Sequence, residues 1–173
     1  MATTAQPTPA VHLRHPDVAR RRGWVVPTYS LVVPAYNEEG VIKELAARLT
    51  DVMDRLDGDA EAILVDDGSR DRTWARMVEA ARHEPRLRLL RLSRNFGHQI
   101  ALTAGVDVAT GDAVIVMDAD LQDPPEVVLE LSLSIFRWFR WSSLKPHNAV
   151  DAVAGCILTN GKLPRKVLRD FFF

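Results

Sequence analysis

The stretch Asp112-Ala-Val-Ile-Val-Met-Asp-Ala-Asp-Leu-Gln-Asp-Pro-Pro125 runs an apolar strand straight into two carboxylates one residue apart, and then into a helix start. Asp118 and Asp120 leave the last turn of the strand. Asp123 is expected to cap the next helix, with Pro124 at its first position and Glu126 closing a capping box. The carboxylates are thereby held at the carboxyl edge of a sheet. In open α/β sheets ligands bind outside those ends, and hard oxygen donors suit Mg2+ or Mn2+ shared with phosphate oxygens. A solvated turn could carry the same acids, so the decision rests on the rest of the chain.

Upstream, the same strand-then-helix unit recurs. Tyr29-Ser-Leu-Val-Val-Pro34 has strand length, and Val41, Ile42, Leu45, Ala46, Leu49, Val52, Met53 and Leu56 then repeat at helical spacing. Glu61-Ala-Ile-Leu-Val65 is a second strand. It is followed by a helix over Arg72 to His83 with Trp74, Met77, Val78 and Ala81 inward, stopped by Pro85. Arg86 to Leu92 alternates Leu with Arg, which suits an edge strand whose arginines are solvated. Phe96 to Ala109, rich in small residues, predicts a third helix packed closely on the sheet and ended by Gly111. Four strands alternating with helices imply an open, mostly parallel α/β sheet covered on both faces.

With 173 residues, 47% hydrophobic and 26% charged, the chain has room for one core and some arms but not for two full domains. Residues 1–27, rich in Pro, Thr and Arg, read as a flexible basic arm, residues 28–131 as the folded domain and residues 132–173 as an atypical segment. The net charge of −1 divides into +3, −9 and +5 over those segments, so basic ends flank an acidic core. Such ends could touch anionic lipid headgroups. A lone cysteine, Cys156, excludes an internal disulfide framework and fits a reducing compartment. There is no run of eighteen apolar residues, and the first residues lack the apolar stretch of a signal peptide, which predicts a soluble or peripheral chain.

The first two strands also end in polar turns, Pro34-Ala-Tyr-Asn-Glu-Glu39 and Asp66-Asp-Gly-Ser-Arg-Asp71. In a parallel sheet all carboxyl ends face one way, so Glu38, Asp67, Asp118 and Asp120 can share a cleft. Tyr36 could stack on a flat base, Glu38 or Asp67 could accept from its ring N–H or a ribose hydroxyl, and Asp118 and Asp120 could reach ribose and metal. The residue types match a nucleotide diphosphate. The second turn could equally be a plain loop with a helix cap at Ser69 or Asp71. A phosphate-accepting receiver domain would not predict the stacking tyrosine, and a dinucleotide-binding fold would want a Gly-rich first turn that is missing here. Arg94-Asn-Phe-Gly-His-Gln99 precedes the third helix and turns its N–H groups toward the same edge. His98 reads as a cap or a packed hydrogen-bonding group rather than a base.

Val33-Pro-Ala-Tyr-Asn-Glu-Glu, Val65-Asp-Asp-Gly-Ser-Arg-Asp-Arg-Thr, Arg94-Asn-Phe-Gly-His-Gln and Met117-Asp-Ala-Asp-Leu-Gln-Asp-Pro-Pro, in that order, resemble the family 2 glycosyltransferases with a GT-A fold. Within them the chain is most similar to the polyprenyl-phosphate glycosyltransferases, of bactoprenol glucosyltransferase or dolichol-phosphate mannosyltransferase type. The resemblance runs from about Tyr29 to Leu131. It implies donor-nucleotide contacts from Pro34, Tyr36, Glu38, Val65, Asp67, Asp118 and Ala119, a metal (Mg2+ or Mn2+) served by Asp120 and Gln122, and a catalytic role for Asp118 and Asp120. The implied reaction moves a hexose, with inversion, from a UDP-glucose or GDP-mannose type donor to a polyprenyl phosphate at the cytoplasmic face of a membrane. No nucleic-acid partner is expected.

After Leu131 the resemblance stops. Phe136, Trp138, Phe139 and Trp141 among Arg137 and Arg140 are compatible with an interfacial segment, but the change of character predicts truncation or a frameshift. A non-catalytic nucleotide-binding remnant without an acceptor site is the alternative reading.

Overall fold

The computed structural model describes residues 28–122, 124–130 and 132, together with the backbone of Val150–Val153 and Cys156–Thr159. The predicted arm, the aromatic cluster at 136–141 and Asp123 lie outside the described residues. Four parallel strands form as expected: β1 (Tyr29–Ala35), β2 (Ala60–Asp66), β3 (Leu87–Arg91) and β4 (Ala113–Val116). Between them run α1 (Ile42–Arg55), α2 (Thr73–Ala81) and α3 (His98–Asp107). The segment expected to be atypical adds a pair of strands, β5 (Val150–Val153) and β6 (Cys156–Thr159). β6 joins β4 antiparallel, giving the order β3-β2-β1-β4-β6-β5.

β1 is buried along its whole length because it has a neighbour on each edge and a helix layer on each face. Leu31 and Val33 pack with Leu64 against Ile42, Leu45, Leu49 and Val52 of α1, while Val32 turns the other way onto Val65 and α3's Ala101, Leu102 and Val106. That alternation is the period-2 pattern of a strand meeting the period-3.6 stripe of a helix. Each fully buried Leu, Ile or Val removes apolar area worth about 1.5–3 kcal/mol from water. In α2 only Met77 of the four expected inward residues is wholly buried; Trp74, Val78 and Ala81 are half-buried, since the helix lies toward the edge strand β3.

The small residues of α3 let it sit close on the sheet. A Cβ on Gly105 would lie 2.4 Å from Val32 Cγ1 and 2.9 Å from Val65 Cγ2. The arginines around β3 are not simply solvated. Arg88 pairs with Glu61 at 2.7 Å, Arg91 Nε lies 3.0 Å from the fully buried Asp66, and Arg86 bridges Glu84 and Asp54. The capping box expected of Glu126 involves Asp123 and lies outside the described residues; the Glu126 carboxylate accepts from Arg48 of α1, whose guanidinium fork offers it two charge-assisted bonds.

Two outcomes follow. Gly105→Val should cost about 1–3 kcal/mol in urea denaturation by overpacking the α3–sheet contact; an unchanged midpoint would contradict that packing. The Arg86 guanidinium holds the Glu84 carboxyl down to about 2 from an ordinary 4.5. A depressed carboxylate stabilises the fold above its unfolded pKa, and this contribution fades as pH falls from about 4.5 toward 2. Glu84→Gln should therefore lower stability by about 1 kcal/mol at pH 7 and by much less at pH 2.5, read from denaturant midpoints at the two pH values.

Candidate active site

Four loops leave the carboxyl ends of the parallel strands and meet above β1, between β2 and β4, where the strand order reverses. The first two are laced together reciprocally. Asn37 N–H donates to Ser69 Oγ (3.0 Å) and Arg70 N–H donates to Asn37 Oδ1 (2.9 Å). Glu38 N–H donates to Thr73 Oγ1 (2.7 Å), Glu39 N–H to Asp71 Oδ2 (3.2 Å), and Arg72 N–H to Glu39 Oε2 (2.9 Å). Asn37 adopts a φ of 57°, a left-handed conformation that asparagine tolerates better than most residues. Of the two expected caps it is Asp71 that serves α2, its Oδ1 accepting from both the N–H and the hydroxyl of Thr73; Ser69 Oγ is turned to Asn37 instead.

The second and third loops are joined by Asp67. Its Oδ1 accepts from Phe96 N–H at 2.8 Å and its Oδ2 from Gly97 N–H at 2.9 Å, with the residue almost wholly buried. Gly68 makes the approach possible. Its φ is +67°, and a Cβ there would sit 2.3 Å from the carbonyl carbon of Arg94. Below this clamp Asp66 accepts from Ser69 N–H at 3.0 Å, and its buried Oδ2 is compensated by the Arg91 guanidinium, which stacks over Trp74.

The fourth loop carries Asp118 and Asp120 as exposed residues on either side of the buried Ala119. His98 Nε2 stands 3.7 Å from Asp118 Oδ1. Asp120 Oδ1 accepts from Gln122 N–H at 3.0 Å, a local turn that fixes one of its oxygens. Pro34, Ala35, Tyr36, Glu38, Asp67, Asn95, Gly97, His98, Ala101, Asp118, Ala119 and Asp120 together line a cavity of about 530 Å3. Burial, and then the charges of Asp120 and Asp71, push the Glu38 carboxyl above its usual range. The cleft concentrates negative charge.

Seven of the nine residues singled out from the sequence thus line one cavity. Val65 does not: its side chain is fully buried between Val32 and α3. Gln122 is exposed beside the lining and contributes its backbone N–H to Asp120. Sequence reasoning missed Ala35 and Ala101, small residues whose role is to leave room, and nothing in their local pattern announces that.

An open α/β sheet with an acidic strand-end cleft at its switch point places the protein among the GT-A folds. The solved glucosyl-3-phosphoglycerate synthase of Mycobacterium tuberculosis, in complex with Mn2+, uridine diphosphate and glucosyl-3-phosphoglycerate, is similar at a TM-score of 0.56 and 25% identity, over 76% of this chain and 46% of that one. The family model for glycosyl transferase family 2 matches residues 30–137, and the chain belongs to that family. It is 53% identical over 103 residues to an uncharacterized glycosyltransferase, YkcC, of Bacillus subtilis, covering 60% of this chain and 32% of that protein. It is 44% identical to the undecaprenyl-phosphate 4-deoxy-4-formamido-L-arabinose transferase of Aeromonas hydrophila, over 59% of this chain and 32% of that one. The chain spans about a third of the length of these curated relatives. No helix among the described residues is long and apolar enough to cross a membrane.

Asp67→Asn would set an amide NH2 or a weaker acceptor against two backbone donors. Denaturation should show a loss of about 1–3 kcal/mol, and wild-type stability would contradict the clamp.

Proposed function

We propose that the cleft binds a nucleotide-diphosphate sugar together with Mg2+ or Mn2+, and that the chain provides the donor site of a hexosyltransferase whose acceptor is a polyprenyl phosphate. The observation that carries this is the convergence of Pro34, Tyr36, Glu38, Asp67, Asp118, Ala119 and Asp120 on one cavity. Tyr36, exposed at the lip, offers a ring face for the base. Asp67 spends one lone pair of each oxygen on the clamp and keeps others for a ring N–H or a ribose hydroxyl, a task open to Glu38 as well. Asp118 and Ala119 lie alongside the nucleotide.

Among the described residues no group of three or more His, Cys, Asp or Glu closes around a metal. That suits Mg2+ or Mn2+ bound by one or two carboxylates and completed by substrate phosphates and water. Asp120, with Asp118 beside it and Gln122 following, would hold the ion; the Glu38 carboxyl is raised first by burial and then by the charges of Asp120 and Asp71, and a cation would offset the latter. When bound, the ion would stabilise charge developing on the departing diphosphate. The rest falls to positioning, since a lipid phosphate is already anionic and its oxygen can attack the anomeric carbon directly, with inversion and without a strong base. The Mn2+ and uridine diphosphate of the mycobacterial structure support the donor assignment, and the undecaprenyl-phosphate relative supports the acceptor and a membrane-surface location. By the family resemblance the donor nucleotide is UDP and the sugar glucose.

Calorimetry should show saturable UDP binding that requires Mn2+, and Asp120→Asn should abolish the metal dependence while leaving the thermal midpoint within a few degrees. Metal-independent binding, or none, would refute the assignment. Release of UDP from UDP-glucose on adding polyprenyl phosphate distinguishes a transferase from the second reading, a donor-binding chain without turnover.

A further inference from the structure

α1 contributes no residue to the cleft, yet one of its side chains grips the segment that carries the acidic turn. Arg48 Nε donates to Glu126 Oε1 at 3.0 Å and its terminal nitrogen to Glu126 Oε2 at 2.5 Å, a two-pronged bridge across 78 positions of sequence. Such forks fix orientation as well as distance, which a lysine cannot do. Described residues on either side of Asp123 are held in place. Met117 N–H donates to Val32 O at 3.1 Å, Ala119 is buried, and Val128 and Leu129 pack with α1's core face. The span bounded by these fixed points contains Leu121 at a φ of 61°, an unfavourable conformation for a branched side chain, with that side chain packed on the core. A strained residue next to a functional carboxylate persists only when its surroundings over-determine it.

We propose that Arg48 and Glu126 are positioning residues for the acidic turn: their bridge holds residues 124–130 against α1 and so keeps Leu121 in its left-handed conformation and Asp120 aimed into the cleft. The proposal rests on the donor-site reading for its consequence but not for its geometry. The charge environment agrees with the bridge. Hydrogen bonding to Arg48 lowers the Glu126 carboxyl, and that to Glu126 raises the Arg48 guanidinium. The other neighbour of Arg48, Glu44, is more distant at 3.8 Å and largely exposed, so it does not substitute for Glu126.

The test is a double-mutant cycle on the full 173-residue chain with Arg48→Met, Glu126→Gln and the pair together, plus Arg48→Lys as a milder variant that retains the charge. Two quantities are read: the NMR amide resonance of Gln122, whose N–H is bonded to Asp120, without nucleotide; and the Kd for UDP in the presence of Mn2+. Each single variant should displace the Gln122 resonance and weaken Mn2+-dependent UDP binding about five- to tenfold. The double variant should match either single within twofold, and Arg48→Lys should fall between. An undisturbed Gln122 resonance in the single variants, or effects that multiply in the double, would overturn the proposal. If wild type fails to bind UDP with Mn2+, the donor-site reading falls, while the resonance still decides whether the bridge positions the turn.

Discussion

Everything at the cleft hangs from β1. Like β2 it has a parallel partner on both sides, Val32 standing opposite both Ile63 of β2 and Val116 of β4, but unlike β2 it is buried at all seven of its residues. Because the three strands run the same way, the chain must leave each of them on one edge. The reversal of strand order between β2 and β4 opens space there. A one-residue slip of β1 would exchange its two faces, moving Val32 from α3 to α1 and taking the Pro34–Glu38 turn out of register with Asp67. The hydrophobic pattern that specifies the core therefore also specifies the site.

Packing alone would bring the loops near one another without fixing them. The finer placement comes from hydrogen bonds made by short polar side chains to backbone groups of a neighbouring loop: Ser69 and Thr73 to the first loop, Asn37 and Glu39 back to the second, Asp67 to the third. Backbone N–H groups that no helix or strand satisfies are used as anchors. This has an electrostatic consequence. With Asp66 compensated by Arg91, and Asp67 and Asp71 occupied by N–H and hydroxyl donors, the carboxylates with least internal engagement are Glu38, Asp118 and Asp120 around the cavity. An arrangement that gathers like charges is unfavourable by itself and becomes favourable with a cation.

The fold was legible because its signals are local and periodic. The stripe from Ile42 to Met53 and the apolar runs at Leu31–Val33 and Ile63–Val65 each state their own burial, and alternation of strands with helices leaves few topologies. The candidate site was legible in the strand-end turns, where Asp-Ala-Asp and Asp-Asp-Gly-Ser gather polar residues on one edge, although the buried Asp66, Asp67 and Ser69 prove to tie the loops together as well. Partners distant in sequence were not legible. Nothing near Glu126 points to Arg48; the Leu-Arg alternation of β3 implied solvated arginines because Asp66 and Glu61, the carboxylates that pair with them, lie on another strand. Val65 shows the same limit from the other side. A motif residue beside a cavity-lining aspartate can have its side chain wholly in the core.

The central claim is that Asp118 and Asp120 present a cation site completed by the phosphates of a nucleotide. Paramagnetic broadening by Mn2+ tests it directly, by following backbone amide signals of the chain with and without UDP. The account predicts that UDP sharpens the effect into one locus, with the amides of residues 117–122 lost first and those of 36–38 and 95–98 next, while the far ends of the strands are unaffected. Broadening that is scattered over the acidic surface and indifferent to UDP would contradict it.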